Sequence, residues 1–315
     1  MSEMLEKARK YEDEQGKQIK AEDRPAFHVS PYVGWMNDPN GFSYYQGEYH
    51  LFYQYYPYDT HWNSMHWGHV VSKDLLHWKH LPAALAPDED YDKFGCFSGS
   101  AIELEDGRQL LMYTSVNQEK LEDGTVRDIQ TQAVAVGDGK DYEKYDKNPV
   151  LTAKDLPKGA SKVDFRDPKI WKGNDGNFYC VIGSRPADGS GQILLYRSKN
   201  GFEWEFVSIL AKNQNRYGKM WECPDFFELD GKYVLLTSPQ DMLPEGLEFH
   251  NGNGTLCIIG ELDPETHTLK EQFCQGVDYG IDYYAMQTLL APDGRRIMIA
   301  WMQNWDTLCL LYTSD

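Results

Sequence analysis

The feature that most constrains the fold of this chain is a hairpin pattern that occurs five times. In each copy, an apolar or aromatic run leads into a tight polar turn with a glycine, and a second β-forming run follows. Asp-Gly and related pairs favour hairpin turns because such turns need positive φ angles. The turn glycines are separated by steps of 60, 69, 55 and 63 residues. They are Gly47, Gly107, Gly176, Gly231 and Gly294.

A second strand pair separates consecutive copies of this hairpin. The sequence favours one such pair at residues 69–71 and 76–78, and another at residues 193–196 and 203–206. Four strands in a repeat of this length are typical of a β-propeller blade, whereas a β-sandwich with regularly spaced turns is the alternative. Because both hairpins recur in order, we predict an all-β, five-bladed propeller over residues 25–308, with its fifth blade incomplete.

Composition limits the partners that we expect. The chain has 315 residues, 14% of them aromatic, and aromatic rings serve both β-rich cores and flat sugar-binding surfaces. A formal net charge of −18 repels phosphate backbones and anionic lipids. No apolar run is long enough to span a bilayer. We therefore expect neither a nucleic-acid partner nor a membrane partner, and the sequence does not fix an oligomeric state.

Residues 1–24 form a charged N-terminal lead. The spacing of Leu5, Ala8 and Tyr11 favours a short helix there, and the absence of an apolar h-region predicts a cytoplasmic protein without a signal peptide. The six cysteines lack CxxC pairs and the density of a disulfide scaffold, which favours reduced thiols. No metal-ligand spacing is present, so we expect no metal and no other cofactor.

Three carboxylates stand beside the first strands of three repeats. We expect Asp38, Asp167 and Glu222 at matched positions, just before the first strands of the first, third and fourth repeats. Taken singly, each acid has an ordinary explanation as a turn or surface residue. The first strand of each propeller blade lines the central axis, so the recurrence predicts that the three acids converge in one pocket.

Converging acids suit glycoside hydrolysis, which needs one nucleophile or base and one acid. Crowded carboxylates differ in proton affinity, so some are charged while one is protonated. Asp38, beside Asn37, is the expected nucleophile. Glu222 has the more apolar sequence neighbours and is expected to stay protonated as the acid. The charge of Arg166 is expected to keep Asp167 ionised.

These segments resemble glycoside hydrolase family 32, the invertase and fructan hydrolase family. Residues 35–41 (WMNDPNG) are similar to its nucleophile motif. Residues 166–168 (RDP) are similar to its transition-state stabiliser motif, and residues 222–223 (EC) to its acid/base motif. Further family motifs occur in order, at Gln54, Trp62, residues 72–75, residues 97–100 and residues 282–285. The resemblance covers roughly residues 25–308.

The resemblance implies a retaining β-fructofuranosidase without a cofactor. It implies that Asp38 forms a covalent fructosyl–enzyme intermediate, that Glu222 protonates the leaving oxygen and then activates water, and that Asp167 stabilises the transition state. The implied partner is a small sugar: sucrose, sucrose 6-phosphate or a short fructan. The residues expected to bind substrate are Asn37, Gln54, Trp62, Phe97, Ser98, Arg166, Asp282 and Tyr284.

The sequence departs from the family at its end. Family members continue into a C-terminal β-sandwich, whereas this sequence stops at Asp315, within the fifth repeat. Residues 309–315 do not fit the family, and we interpret them as an artefactual tail in which Cys309 carries no functional weight. We therefore expect a fragment that lacks the sandwich. Its uncovered strand edges and apolar face predict poor solubility or inactivity as written.

Other functions stay open at this point. A fructan hydrolase would use the same residues on a longer substrate. A fructosyltransferase would pass the fructosyl group to a sugar instead of water, and the sequence barely constrains the acceptor site that decides between them. A catalytically silent carbohydrate-binding propeller is an alternative of a different class, and the presence of all three acids argues against it.

Overall fold

Strands make up most of the structure. The computed structural model describes residues 1–307, so the predicted tail at residues 309–315 lies outside the described residues. The chain divides into two compact units. The first comprises Met1–Val150 with Leu289–Ile297, and the second comprises Leu151–Thr288 with the residues from Met298 onward.

The first unit begins with helix α1, Glu3–Gly16, which is followed by two four-stranded antiparallel sheets. Their strands pair in chain order. The first sheet, blade 1, consists of β1 Trp35–Tyr45, β2 Glu48–Tyr56, β3 His66–Ser72 and β4 Trp78–Leu85. The second sheet, blade 2, consists of β5 Gly95–Glu103, β6 Gln109–Lys120, β7 Val126–Gly137 and β8 Tyr142–Lys144.

The second unit repeats this arrangement with two further four-stranded antiparallel sheets, again paired in chain order. Blade 3 consists of β9 Ala160–Lys172, β10 Phe178–Pro186, β11 Gln192–Ser198 and β12 Trp204–Lys212. Blade 4 consists of β13 Trp221–Leu229, β14 Lys232–Pro239, β15 Leu256–Leu262 and β16 Leu269–Gly276.

The blade count differs from the sequence prediction. Strands β17, Tyr284–Leu290, and β18, Arg296–Trp301, form a sheet of only two strands. The all-β propeller class is confirmed, but the prediction of five blades is wrong for residues 1–307, which form four. The reason is that only one hairpin of the fifth repeat lies among the described residues.

The five predicted hairpin turns are confirmed. Each lies between the two strands that the sequence pattern assigns to it, and the φ angles of the five turn glycines fall between +76° and +86°. A Cβ atom added at any of these glycines would have no other atom within 4 Å. The backbone conformation, and not crowding, is therefore what requires glycine in these turns.

Aromatic side chains fill the cores of both units. In the first unit, Phe52 of β2 packs with Trp67 of β3 and Tyr113 of β6, and all three are fully buried. In the second unit, Trp221 and Phe226 of β13 pack in one cluster with strands of blades 3 and 4. Burying rings of this size supplies much of the apolar contact that holds neighbouring blades together.

Helix α1 packs against the edge strand β4 of blade 1. Its Leu5 and Ala8 are buried. The Arg9 Nε donates to the Ala83 carbonyl oxygen at 2.9 Å, and the Ala83 amide donates to Glu12 Oε1 at 2.8 Å. The helix therefore satisfies backbone groups that an edge strand would otherwise expose. Within residues 1–307, no helix has the length and apolar character needed to cross a membrane.

Candidate active site

The first strand of every complete blade contains a β-bulge, at which two of its residues lie opposite one residue of the second strand. The bulged pairs are residues 37–38 opposite Gln54, 97–98 opposite Thr114, 167–168 opposite Ile182 and 223–224 opposite Thr237. A bulge bends its strand and redirects its side chains. Most of the candidate residues lie in these four bulges or directly beside them.

The three acids do not occupy matched positions, and in this respect the sequence prediction is wrong. Asp38 is the second residue of its bulge, Asp167 is the first residue of its own, and Glu222 directly precedes a bulge. All three lie inside strands, not before them. The pattern suggested a strand start at each proline because proline cannot donate to a ladder, yet a bulge also accommodates proline.

In the first unit, Asp38 is held by neutral hydrogen-bond donors. The Ser98 hydroxyl donates to Asp38 Oδ2 at 2.7 Å, and the Asn37 Nδ2 donates to Asp38 Oδ1 at 3.0 Å. The Trp35 indole N–H donates in turn to Asn37 Oδ1 at 2.7 Å, which fixes the orientation of the amide. Asp38 is buried, with 9% of its surface exposed. Both of its oxygens are therefore oriented by side chains of β1 and β5.

Other predicted sugar contacts of this unit surround the same bulges. Gln54 is buried, and its Nε2 donates to the Cys96 carbonyl oxygen at 2.9 Å, which links β2 to β5. Trp62 is exposed, and its ring meets the Phe97 ring edge to face at 5.7 Å between centroids. The exposed Trp62 and the half-buried Phe97 offer apolar ring surface to a ligand, whereas Gln54 links two strands.

In the second unit, Asp167 lies at a strained bulge. Its φ is +66°, and that of Cys223 is +47°; both are uncommon for residues other than glycine. The Cys223 amide donates to Asp167 Oδ2 at 3.0 Å, and the Cys223 Sγ lies 3.7 Å from the same oxygen. Backbone strain of this kind concentrates at functional sites. The sequence linked Cys223 to Glu222, whereas these contacts join it to Asp167.

A guanidinium contacts one carboxylate oxygen of Glu222, and a phenol contacts the other. The Arg166 Nε donates to Glu222 Oε1 at 2.9 Å, and the Tyr284 hydroxyl lies 2.6 Å from Glu222 Oε2. The Arg166 Nη1 also donates to Asp164 Oδ1 at 3.0 Å. The expectation of apolar surroundings for Glu222 is therefore wrong, because strands β9 and β17 bring polar side chains to it that its sequence neighbours do not reveal.

Arg166 is the electrostatic centre of this cluster. Burial acts to lower the pKa of its guanidinium, but the carboxylates of Glu222, Asp167 and Asp164 outweigh burial and raise that pKa above its ordinary value. Arg166 therefore stays charged and holds several carboxylates in fixed positions.

Tyr284 and Asp282, the two predicted substrate contacts near β17, lie in different surroundings. Tyr284 is fully buried, and its hydroxyl also lies 3.0 Å from the Ser238 carbonyl oxygen. Asp282 is exposed and accepts a hydrogen bond from the Thr307 hydroxyl at 2.7 Å. Their assignment to substrate binding stays a prediction.

The sequence analysis missed Asp164 and Thr237. Asp164 lies two residues before Arg166 on one strand, so the alternation of side chains along a strand was a signal that could have found it. The Thr237 hydroxyl donates to the Glu222 carbonyl oxygen at 2.9 Å and so supports the residue before the bulge. No sequence signal marks this contact, because it depends on strand register. Within residues 1–307, no group of His, Cys, Asp and Glu side chains has an arrangement that could hold a metal ion.

Comparison with known proteins identifies the family of this chain. Residues 28–311 match the model of the glycosyl hydrolases family 32 N-terminal domain. The chain is 42% identical over 285 residues to a raffinose invertase of Escherichia coli, across 90% of this chain and 58% of that protein. It is also 42% identical over 313 residues to a sucrose-6-phosphate hydrolase of Zymomonas mobilis, across 96% of this chain and 59% of that protein.

A solved structure is similar over nearly the whole chain. A Bombyx mori GH32 β-fructofuranosidase matches with a TM-score of 0.86 and 45% identity, across 96% of this chain and 62% of that one. The chain thus spans about three fifths of the length of the relatives that it matches. The match to the family model, by contrast, covers most of this chain, and it includes the segments of all three acids. The chain therefore belongs to glycosyl hydrolase family 32.

Proposed function

We propose that this chain carries the catalytic residues of a retaining β-fructofuranosidase that releases terminal β-D-fructofuranosyl units from sucrose or sucrose 6-phosphate. The observation that carries the proposal is the set of contacts around Glu222. A guanidinium bonds one of its oxygens and a phenol bonds the other, while Asp167 is fixed by the amide of the next residue, Cys223. The relatives named raffinose invertase and sucrose-6-phosphate hydrolase support this substrate class.

In the proposed first step, a carboxylate oxygen of Asp38 attacks C2 of the fructosyl unit. The bond between C2 and the leaving oxygen breaks as Glu222 transfers its proton to that oxygen. In the second step, the ionised Glu222 takes a proton from water, which attacks C2 and breaks the ester to Asp38. Fructose leaves with its configuration retained. Asp167 stabilises the positive charge that develops on the ring in both steps.

The remaining predicted contacts take supporting roles in this proposal. Ser98 and Asn37 orient the nucleophile, and Arg166 orients the acid/base. Trp62 and Phe97 offer ring surface to the sugar. Gln54, Asp282 and Tyr284 remain proposed contacts for sugar hydroxyls. The cytoplasmic location expected from the sequence stays a prediction.

The test is product analysis with a full-length version of the protein, because the sequence predicts poor solubility or inactivity for the chain as written. Sucrose, sucrose 6-phosphate and inulin are supplied, and NMR follows the anomer of fructose that appears first. We expect β-fructofuranose together with glucose or glucose 6-phosphate. Absence of free fructose from all three substrates would overturn the proposal. Growth of longer fructosides would indicate a transferase, and binding without turnover would indicate a silent module.

A further inference from the structure

A buried ion pair lies close to the proposed acids but is not one of them. The Lys169 Nζ of β9 lies 3.1 Å from Asp225 Oδ2 of β13, and the two side chains are 12% and 2% exposed. Both also bind the backbone of Thr288 in β17. The Thr288 amide donates to Asp225 Oδ2 at 2.6 Å, and the Lys169 Nζ donates to the Thr288 carbonyl oxygen at 2.8 Å. We call Lys169, Asp225 and Thr288 the three-strand clamp.

The clamp joins strands that no sheet joins. Strands β9, β13 and β17 are the first strands of three different sheets, so no ladder of backbone hydrogen bonds sets their relative positions. Side-chain contacts have to do so. One carboxylate, one ammonium group and one residue's backbone groups therefore fix three first strands at a single point.

The clamp lies just beyond the segments that carry the proposed chemistry. Lys169 follows Asp167 by two residues, Asp225 follows Glu222 by three, and Thr288 follows Tyr284 by four. In each interval the backbone contains a residue with a left-handed φ: Asp167, Cys223 and Ala285. Each acid-bearing segment is thus bent at a strained residue and anchored soon after it.

We propose that Lys169 and Asp225 are positioning residues for Asp167 and Glu222. The proposal rests on the proposed function of those acids. Glu222 takes its two side-chain partners from different strands, Arg166 from β9 and Tyr284 from β17, at 2.9 and 2.6 Å. Hydrogen bonds tolerate only a few tenths of an ångström, so both survive only while β9, β13 and β17 keep their spacing. A misplacement of about 1 Å can cost about 100-fold in rate.

The energetics of buried ion pairs agree with a positioning role. Desolvation of both charges offsets much of their attraction, so a well-packed apolar pair is often as stable. What such a pair supplies instead is a defined geometry, because each charge must keep its partner. The clamp charges also meet backbone groups of β17, which an apolar pair would leave unpaired.

The test replaces both charges at once. Lys169→Met with Asp225→Asn removes the ion pair without leaving a buried charge unpaired, and the new carboxamide at position 225 still offers an oxygen to the Thr288 amide. We expect kcat on sucrose to fall by about 10- to 100-fold, with KM changing less than about threefold. A second readout needs no turnover: the ¹³Cζ resonance of Tyr284, assigned by its absence in Tyr284→Phe, should shift because its contact with Glu222 changes.

A matched surface pair provides the control. Lys232→Met with Glu261→Gln removes an exposed pair at 2.8 Å within blade 4, and it should leave kcat and the Tyr284 resonance unchanged. If the double variant does not fold, Asp225→Asn alone, an isosteric change, replaces it in the test and should lower kcat by about tenfold. Unchanged kcat and an unchanged Tyr284 resonance in a folded clamp variant would overturn the proposal. Lack of turnover by the full-length wild-type protein would overturn the proposed function, while the resonance would still test the clamp.

Discussion

The two acids to which we assign the central chemistry accept hydrogen bonds from donors of different kinds. Asp38, in the first unit, accepts hydrogen bonds from a hydroxyl and an amide, both neutral groups. Glu222, in the second unit, contacts a guanidinium and a phenol within a cluster of ionised side chains. A hydrogen bond from a neutral group orients a carboxylate, whereas an ion pair also favours its negative charge.

This difference matches the different tasks of the two residues. A nucleophile gives up its charge when it forms an ester, so a cation bound tightly to it would oppose the reaction. An acid/base must bind a proton and release it in turn. Arg166 donates to both Glu222 and Asp164, so its charge is shared between two carboxylates. In the proposed mechanism, the neutral donors of Asp38 thus suit its loss of charge, and Arg166 favours the ionised form that Glu222 takes after it donates its proton.

The largest expected effect tests the proposed role of Asp38 as the nucleophile. Asp38→Asn keeps the shape of the side chain but removes the nucleophile, so kcat on every fructoside should fall by more than about 1000-fold. Initial rates on sucrose measure the change. Asp106→Asn, an isosteric change in the exposed turn of blade 2, serves as the control and should leave the rate unchanged. Residual activity of Asp38→Asn near the wild-type rate would remove Asp38 from the mechanism.

The second-largest expected effect tests whether Glu222 is the general acid. Glu222→Gln cannot donate a proton, so kcat on sucrose should fall by about 100- to 10,000-fold. A fructoside of a nitrophenol needs little protonation of its leaving oxygen, so its first-step burst should fall by less than about tenfold. Stopped-flow release of nitrophenol measures this step. An equal loss on both substrates would show that Glu222 is not the general acid.

Removing one hydroxyl from each site compares the two surroundings directly. Ser98→Ala takes one donor from Asp38, and Tyr284→Phe takes one contact from Glu222. Hydrogen bonds to charged groups are worth about 1.5–3 kcal/mol, so each change should lower kcat by about 10- to 100-fold. Tyr179→Phe, which removes an exposed hydroxyl bonded to Asp175, is the control and should change nothing. A normal kcat in either variant would show that its hydroxyl does not orient the acid.

The smallest effect on activity concerns Glu12 of α1. Burial raises the pKa of Glu12 to about 7, well above 4.5, and outweighs the opposing Ala83 amide. The folded state therefore binds more protons than the unfolded state between these two pH values. Its contribution to stability is fully present below about pH 4.5 and is lost as pH rises through about 7. The loss amounts to about 3 kcal/mol.

Glu12→Gln isolates this contribution. Buried histidines such as His66, whose pKa burial lowers to about 4, have the opposite slope, since their contribution is lost as pH falls. The measured quantity is therefore the difference in free energy of unfolding between wild type and Glu12→Gln, from urea titrations at pH 5 and 8. The free energy of unfolding of wild type, relative to that of the variant, should be larger at pH 5 than at pH 8, while kcat stays unchanged. A difference independent of pH would contradict the raised pKa.

Local chemistry explains what could be predicted from the sequence. The turn glycines and the alternating runs around them determine hairpins within a few residues, so the strands of each blade were predictable. The segments around Asp38, Asp167 and Glu222 were identifiable for the same reason. The blade count failed because two strands of the fifth repeat were taken as evidence of a blade.

Contacts between distant segments could not be predicted. The register of Asp38, Asp167 and Glu222 depends on bulges, and the sequence shows only the prolines that some of these bulges contain. The Arg166 and Tyr284 contacts of Glu222 come from strands 56 and 62 residues away along the chain. Pairing of Lys169 with Asp225 likewise depends on how three sheets meet, which no local pattern encodes.

The repeated bulge has a consequence for how such a fold can change its chemistry. Ladder pairing resumes on both sides of each two-for-one mismatch, so the two bulged residues lie outside the pairing that aligns the rest of the strand. Each complete blade therefore has one place where a change of side chain does not alter the register. For protein engineering, these four pairs of positions are the first to vary in a search for new reactivity.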